Sequence, residues 1–207
     1  MTTRRTRGTV QAWIAAVSFP TEPRDVLDMV LDDSAEVDTT NLQALILSAG
    51  NEDCGGWTVP RWGMQGDITF FYQAKKAMPR ITSLIGQFRE MALGVRGNDR
   101  DTLERVVDLL LKERELALRL EGSVFACAHL SDRALANYSQ EEKSRYKHWR
   151  SPVYGSIANV HLFEEPLHYD IFGRYLTLST GTITPLEAPA FKKLRQLLSE
   201  DNRARWP

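Results

Sequence analysis

No long hydrophobic run occurs in this chain. The longest apolar stretches, such as Trp13 to Val17, are strand-sized and far shorter than a membrane-spanning helix. A membrane is therefore not expected as a partner. Behind Arg4, Arg5 and Arg7 there is no apolar stretch of the kind a signal peptide needs, so none is expected. Cysteine is scarce, with only Cys54 and Cys127. Two such distant thiols make no disulfide framework, and a reduced cytoplasmic setting is expected. Cys127 lies in the apolar run VFACA and reads as a core residue, whereas Cys54 sits in a glycine-rich segment.

An excess of positive charge is missing too. The 26 Lys and Arg are balanced by 27 Asp and Glu, for a net charge of −1. A protein that clamps duplex DNA through many phosphates is normally basic, so that class is disfavoured. Local basic clusters remain at Lys75, Lys76 and Arg80; at Lys143, Arg145, Lys147 and Arg150; and at Lys192, Lys193 and Arg195. Each is enough for a few nucleotides and no more.

The familiar signatures of catalysis are absent as well. There is no G-x-x-x-x-G-K-[ST] phosphate loop, no H-E-x-x-H zinc helix, no G-x-G-x-x-G dinucleotide turn and no G-x-S-x-G elbow. His129, His148, His161 and His168 never fall at the i, i+4 spacing that puts two metal ligands on one helix face. No catalytic residue, metal or cofactor is expected from these patterns.

What is present is an ordinary globular composition, 43% apolar and 26% charged over 207 residues, which fits one domain spanning residues 1–207. Thr9–Ser18 alternates and reads as a first strand. Pro23 then opens a helix bearing Val26, Leu27, Val30 and Leu31, and Thr39, Thr40 or Asn41 caps a second helix through Leu47. Residues 51–66 read as a glycine-rich loop, and DITFFYQ (67–73) as a strand.

Pro79 opens a third helix, and Asp99 or Asp101 caps a long fourth one. The two make a helical hairpin that reads as an insertion over about residues 76–120, by its helical periodicity. Strands are predicted at 122–130 and 156–163, a loop or short helix at 139–149, and a last amphipathic helix after Pro185 and Pro189. Short strands with long helical connections predict a mixed α+β fold built on a small sheet or barrel.

The segment GGWTVPRWGMQGD places Trp57 and Trp62 in flexible turns that lead directly into Phe70, Phe71 and Tyr72. Tryptophan is costly to leave in water, so these rings either close the core or wait for a flat ligand. Two aromatic walls can sandwich a base and stabilise it by about 1–3 kcal/mol.

The order of these features carries a resemblance. Ala12-Trp13-Ile14 is followed by Ser18-Phe19-Pro20-Thr21-Glu22-Pro23, and then come the Trp57 loop and Gly66-Asp67-Ile68-Thr69-Phe70-Phe71-Tyr72. The strand Gly122–Ala128 and the stretch from His161-Leu162-Phe163-Glu164-Glu165 to Pro185-Leu186 complete it. In these pieces the chain resembles the EVE family of the PUA-like superfamily, related to YTH and ASCH domains. It departs from the pattern where Lys75–Leu120 intervenes.

The resemblance implies a PUA-like twisted β-barrel flanked by helices, with a pocket at one end. It also implies a partner, DNA or RNA with a modified (for example methylated) base held in an aromatic cage, in restriction, defence or RNA modification. Trp57 is the implied first wall. Trp13, Ser18 and Phe19 of the opening strand, with Trp62 and Tyr72 as second walls, complete the ligand-binding set, and Lys75, Lys76 and Arg150 would meet flanking phosphates. ASCH relatives imply an alternative, a hydrolase of acylated nucleosides using Lys75 or Lys76 with Glu164 or Glu165. A third reading makes the hairpin, residues 79 to 120, a surface for a protein partner.

Overall fold

The computed structural model describes residues 10–31, 36–51, 55–132, 153–179 and 183–204. The segment 139–149 and Arg150 lie outside them. Thirteen elements follow in order: β1 (Ala12–Val17), α1 (Pro23–Val30), α2 (Asn41–Leu47), β2 (Gly56–Thr58), β3 (Ile68–Gln73), α3 (Ala77–Leu93), α4 (Asn98–Arg119), β4 (Ser123–Leu130), β5 (Tyr154–His168), α5 (Tyr169–Phe172), β6 (Ile183–Leu186), α6 (Ala188–Leu197) and α7 (Glu200–Ala204). The class is mixed α+β. Six strands form one curled half-barrel sheet in the order β2-β5-β4-β3-β1-β6.

β1 and β3 pair in parallel, with Trp13 beside Thr69 and Ala15 beside Phe71, and every other pairing is antiparallel. A parallel neighbour demands a long crossover, here the chain through α1, α2 and β2. Every residue of β3 is buried, because both faces of the sheet are covered. Strand alternation then divides the core. Trp13, Ala15, Val17, Phe71, Ala126 and Ala128 face one side with Leu42 and Leu45 of α2. Ile14, Phe70, Tyr72 and Val124 face the other, under Phe172, Leu194 and Leu198.

α3 and α4 connect β3 to β4, which are themselves antiparallel neighbours. The hairpin buries most of its apolar residues, while Met91, Leu93 and Leu118 stay exposed. Ile81, Leu84, Phe88, Val106 and Leu110 pack on one another and on Phe19, Val26 and Val30.

Some boundaries differ from those the sequence predicts. α3 begins at Ala77, and Pro79 sits inside its first turn, where an amide hydrogen is not needed. β5 is longer than 156–163 and absorbs register shifts against β4. Within it Asn159 takes φ 54, a left-handed conformation that Asn tolerates at a bulge. β2 forms inside the expected loop, and β6 forms around Pro185. The missing amide of Pro185 is tolerated because β6 is the sheet's edge.

One buried acid joins the sheet layer to the hairpin. Glu113 of α4 is 1% exposed and accepts a 2.6 Å hydrogen bond from the Thr40 hydroxyl. Thr40 also caps α2 by accepting from the Gln43 amide, and the Gln43 side chain donates to the Leu109 carbonyl. Burial pushes the Glu113 carboxyl up from 4.5 to about 7, although hydrogen bonds from Thr40 and Gln43 pull it down. Between those two values the folded chain binds more protons than the unfolded one. Stability therefore falls as pH rises through that window and levels off above it. We expect urea unfolding to show a loss of about 2–3 kcal/mol from this group between pH 4.5 and 8. Glu113→Gln should abolish that part of the slope and be the more stable protein at pH 8. An identical slope in both would contradict the assignment.

Candidate functional site

The residues that position the aromatic loop are not themselves aromatic. Asp67 is fully buried at the start of β3. Its Oδ1 accepts the Gln11 amide at 3.0 Å, and its Oδ2 accepts the Met64 amide at 2.9 Å. Its own amide donates to the Met64 carbonyl, and its carbonyl accepts from the Leu130 amide. The Gly63 amide closes a turn on the Pro60 carbonyl, and Gly66, at φ 84, donates to the Leu130 carbonyl. The carboxylate thus ties the entry of β1 to the loop 60–67, and the main chain of Gly66 and Asp67 ties that loop to the end of β4.

This loop sets Trp62 edge-on against Trp13, with ring centroids 5.6 Å apart and planes at 86°. Trp13 is fully buried, while Trp62 is 38% exposed. Trp57, on β2, is half-buried and stands edge-on to Phe71 at 5.0 Å. It lies opposite Gly155 of β5. A Cβ on Gly155 would come within 2.6 Å of Leu130 Cδ1 and 3.2 Å of Val59 Cγ2, so the close approach of β5 at this point requires glycine.

Two polar atoms on this face stand out. Among the described residues the Trp13 indole nitrogen and the Thr69 hydroxyl are both buried without a hydrogen-bond partner, and the two residues are side by side in the β1–β3 register. Gln73 Oε1, further along the same face of β3, is in the same condition. A buried polar group left unpaired costs about 1–3 kcal/mol, and native folds contain few of them. Two of them stand on neighbouring strands, and the ring of the partly exposed Trp62 rests against one of the two residues, Trp13.

Of the residues singled out in sequence, Trp13, Trp57 and Trp62 are brought to this one face, together with Phe71 and Thr69, which sequence reading did not select. Ser18 is exposed just beyond β1. Phe19 turns into the α1–α3 core, where its carbonyl accepts from Arg80. Tyr72 points to the opposite face from Phe71, because consecutive strand residues alternate, and packs on Tyr169 and Phe172. Burial, then Tyr169, Glu121 and Asp170, raises its phenol above the usual range.

Lys75 and Lys76 are exposed in the turn between β3 and α3. That turn is beyond the far end of β3 from Thr69, more than about 13 Å along the strand at ~3.3 Å per residue. Glu164 and Glu165 are exposed on β5, where Asn202 bonds to their main chain.

Burial pushes the Cys127 thiol up to about 12, which keeps it protonated. Burial lowers His129, partly offset by a backbone hydrogen bond at Gly66. Among the described residues no three His, Cys, Asp or Glu side chains gather as a metal site, and no helix is long and apolar enough to cross a membrane.

No family model matches the chain, and neither does any curated protein or solved structure.

If Asp67 holds the loop, Asp67→Ala should cost about 2–4 kcal/mol, since it breaks two hydrogen bonds from part-buried amides to a carboxylate. Tryptophan emission should shift red in the folded variant as Trp62 leaves Trp13. Wild-type emission and stability in this variant would show that the loop is held by other contacts.

Proposed function

We propose that this chain is a nucleic-acid-binding module, with a PUA-like barrel, that takes one modified base of DNA or RNA into an aromatic pocket on the concave face of its sheet. The observation that carries the proposal is the unpartnered pair of Trp13 Nε1 and Thr69 Oγ1 beneath Trp62. The indole donates and the hydroxyl both donates and accepts, which suits the mixed polar edge of a nucleobase. Trp57, Trp62 and Phe71 supply apolar ring surface around that floor. A base must leave its stack to enter, so single strands or weakened pairs are the favoured substrates. The balanced net charge of −1 fits a pocket reader better than a duplex clamp. Ser18 follows Val17, which pairs with Gln73, so it lies at the same end of the sheet as Lys75 and Lys76, and all three would meet a bound strand only several nucleotides away. The cytoplasm, where nucleic acid and reduced thiols coexist, is the setting we infer.

Titration with short single-stranded DNA and RNA carrying methylated or hydroxymethylated bases, followed by tryptophan fluorescence, tests the proposal. One modified base should quench selectively, and Trp57→Ala should weaken its binding about tenfold to a hundredfold, the equivalent of one stacked base. Absence of any response in folded protein would refute it. Trp13→Phe separates function from folding. It removes an unsatisfied N–H while keeping a large ring, so stability should hold to within about 1.5 kcal/mol while base binding drops. A variant that binds as well as wild type would remove Trp13 from the site.

A further inference from the structure

A second feature lies between α2 and α4. There a groove of about 520 Å³ is floored by Ile46, Leu47 and Leu116. Leu47 is 69% exposed although it ends a helix whose other leucines, Leu42 and Leu45, are buried. Lys112 and Arg119, both exposed, stand along the α4 wall with Glu115 between them. Among the described residues neither cation has a hydrogen bond or ion pair with another residue. The hairpin's own apolar face is consumed elsewhere, against α1, so this groove is not the hairpin's unpacked core.

We infer that the groove docks an acidic amphipathic helix of a partner protein. Two helices in contact present a groove into which the ridge of a third packs, with axes about 8–10 Å apart. Lys112 and Arg119 are seven residues apart on one helix face, about 10.5 Å at 1.5 Å per residue. A partner helix meets both with acids at i and i+7, and meets the leucine floor with apolar residues at i+3 and i+4. A second copy of this chain is the poorer occupant. A two-fold contact through the same face would set Lys112 and Arg119 against their own copies. The inference is independent of the base pocket.

The probe is a fluorescein-labelled synthetic helix of about 18 residues, five turns, carrying Glu, Leu, Leu and Glu at those four positions. Its anisotropy is read against the full chain. Saturable binding is expected, weakened about tenfold or more by Leu47→Lys and by the double change Lys112→Glu with Arg119→Glu, in keeping with an apolar anchor between charge pairs. A peptide with lysines in place of its glutamates should bind the charge-reversed protein and not the wild type. That gain of binding cannot come from a misfolded variant. No saturable binding, or binding that charge reversal leaves unchanged, overturns the inference. So does light scattering that shows a wild-type dimer dissociated by Leu47→Lys, since the face then belongs to a second copy.

Discussion

The carboxylate of Asp67 is the constraint on which the candidate site depends. It is buried where β3 begins, and it satisfies amides from two directions, the residue before β1 and the loop that carries Trp62. A carboxylate can accept several hydrogen bonds at once, and bonds to a charged acceptor are stronger than those between neutral groups. The residue is thus a junction between a parallel strand pair and an otherwise glycine-rich loop. Without it the parallel register of Trp13 and Thr69 would still be available, but the loop that carries Trp62 would lose the acceptor of its Met64 amide.

The sheet around that junction is more polar inside than its packing needs. Alanines at positions 15, 126 and 128 make room on this face for large rings. Trp13 and Thr69 fill part of that room with atoms that the fold leaves unpaired. Val at position 69 would relieve one penalty at similar volume, and Phe at position 13 would remove the other while leaving a smaller ring. A chain that keeps the polar versions forgoes stability, a pattern expected of a site whose partners arrive with a ligand. The opposite face, with Phe70, Phe172, Leu194 and Leu198, has the apolar content of an ordinary core.

Much of the fold was legible in the sequence. Strong periodicity marked both hairpin helices, and β1, β3 and β4 stood out through runs of apolar and β-branched residues. What could not be read was pairing. Nothing local says that β1 lies parallel to β3, so the neighbouring positions of Trp13 and Thr69 were hidden, and Thr69 passed as an ordinary strand residue. The choice of Tyr72 as a wall beside Trp57 overlooked alternation, since Phe71 and Tyr72 must face opposite ways. Phe19 followed β1 closely in sequence, yet Pro20 and Pro23 turn the chain so that its ring joins the helices. β6 was missed because Pro185 argues against a strand, except at an edge, and edges are a property of topology.

The most direct measurement is a ¹H–¹⁵N spectrum of the indole N–H groups, whose Trp13 signal is assigned by its loss in Trp13→Phe. The five tryptophans give at most five such signals. In the free protein the Trp13 N–H should resonate upfield, as an unbonded donor, and exchange slowly because it is buried. On adding a short oligonucleotide with the recognised modified base it should move downfield as it gains an acceptor, and the unmodified oligonucleotide should leave it in place. A Trp13 signal that already lies at the hydrogen-bonded position, or that ignores every modified base while other indoles respond, would contradict the account.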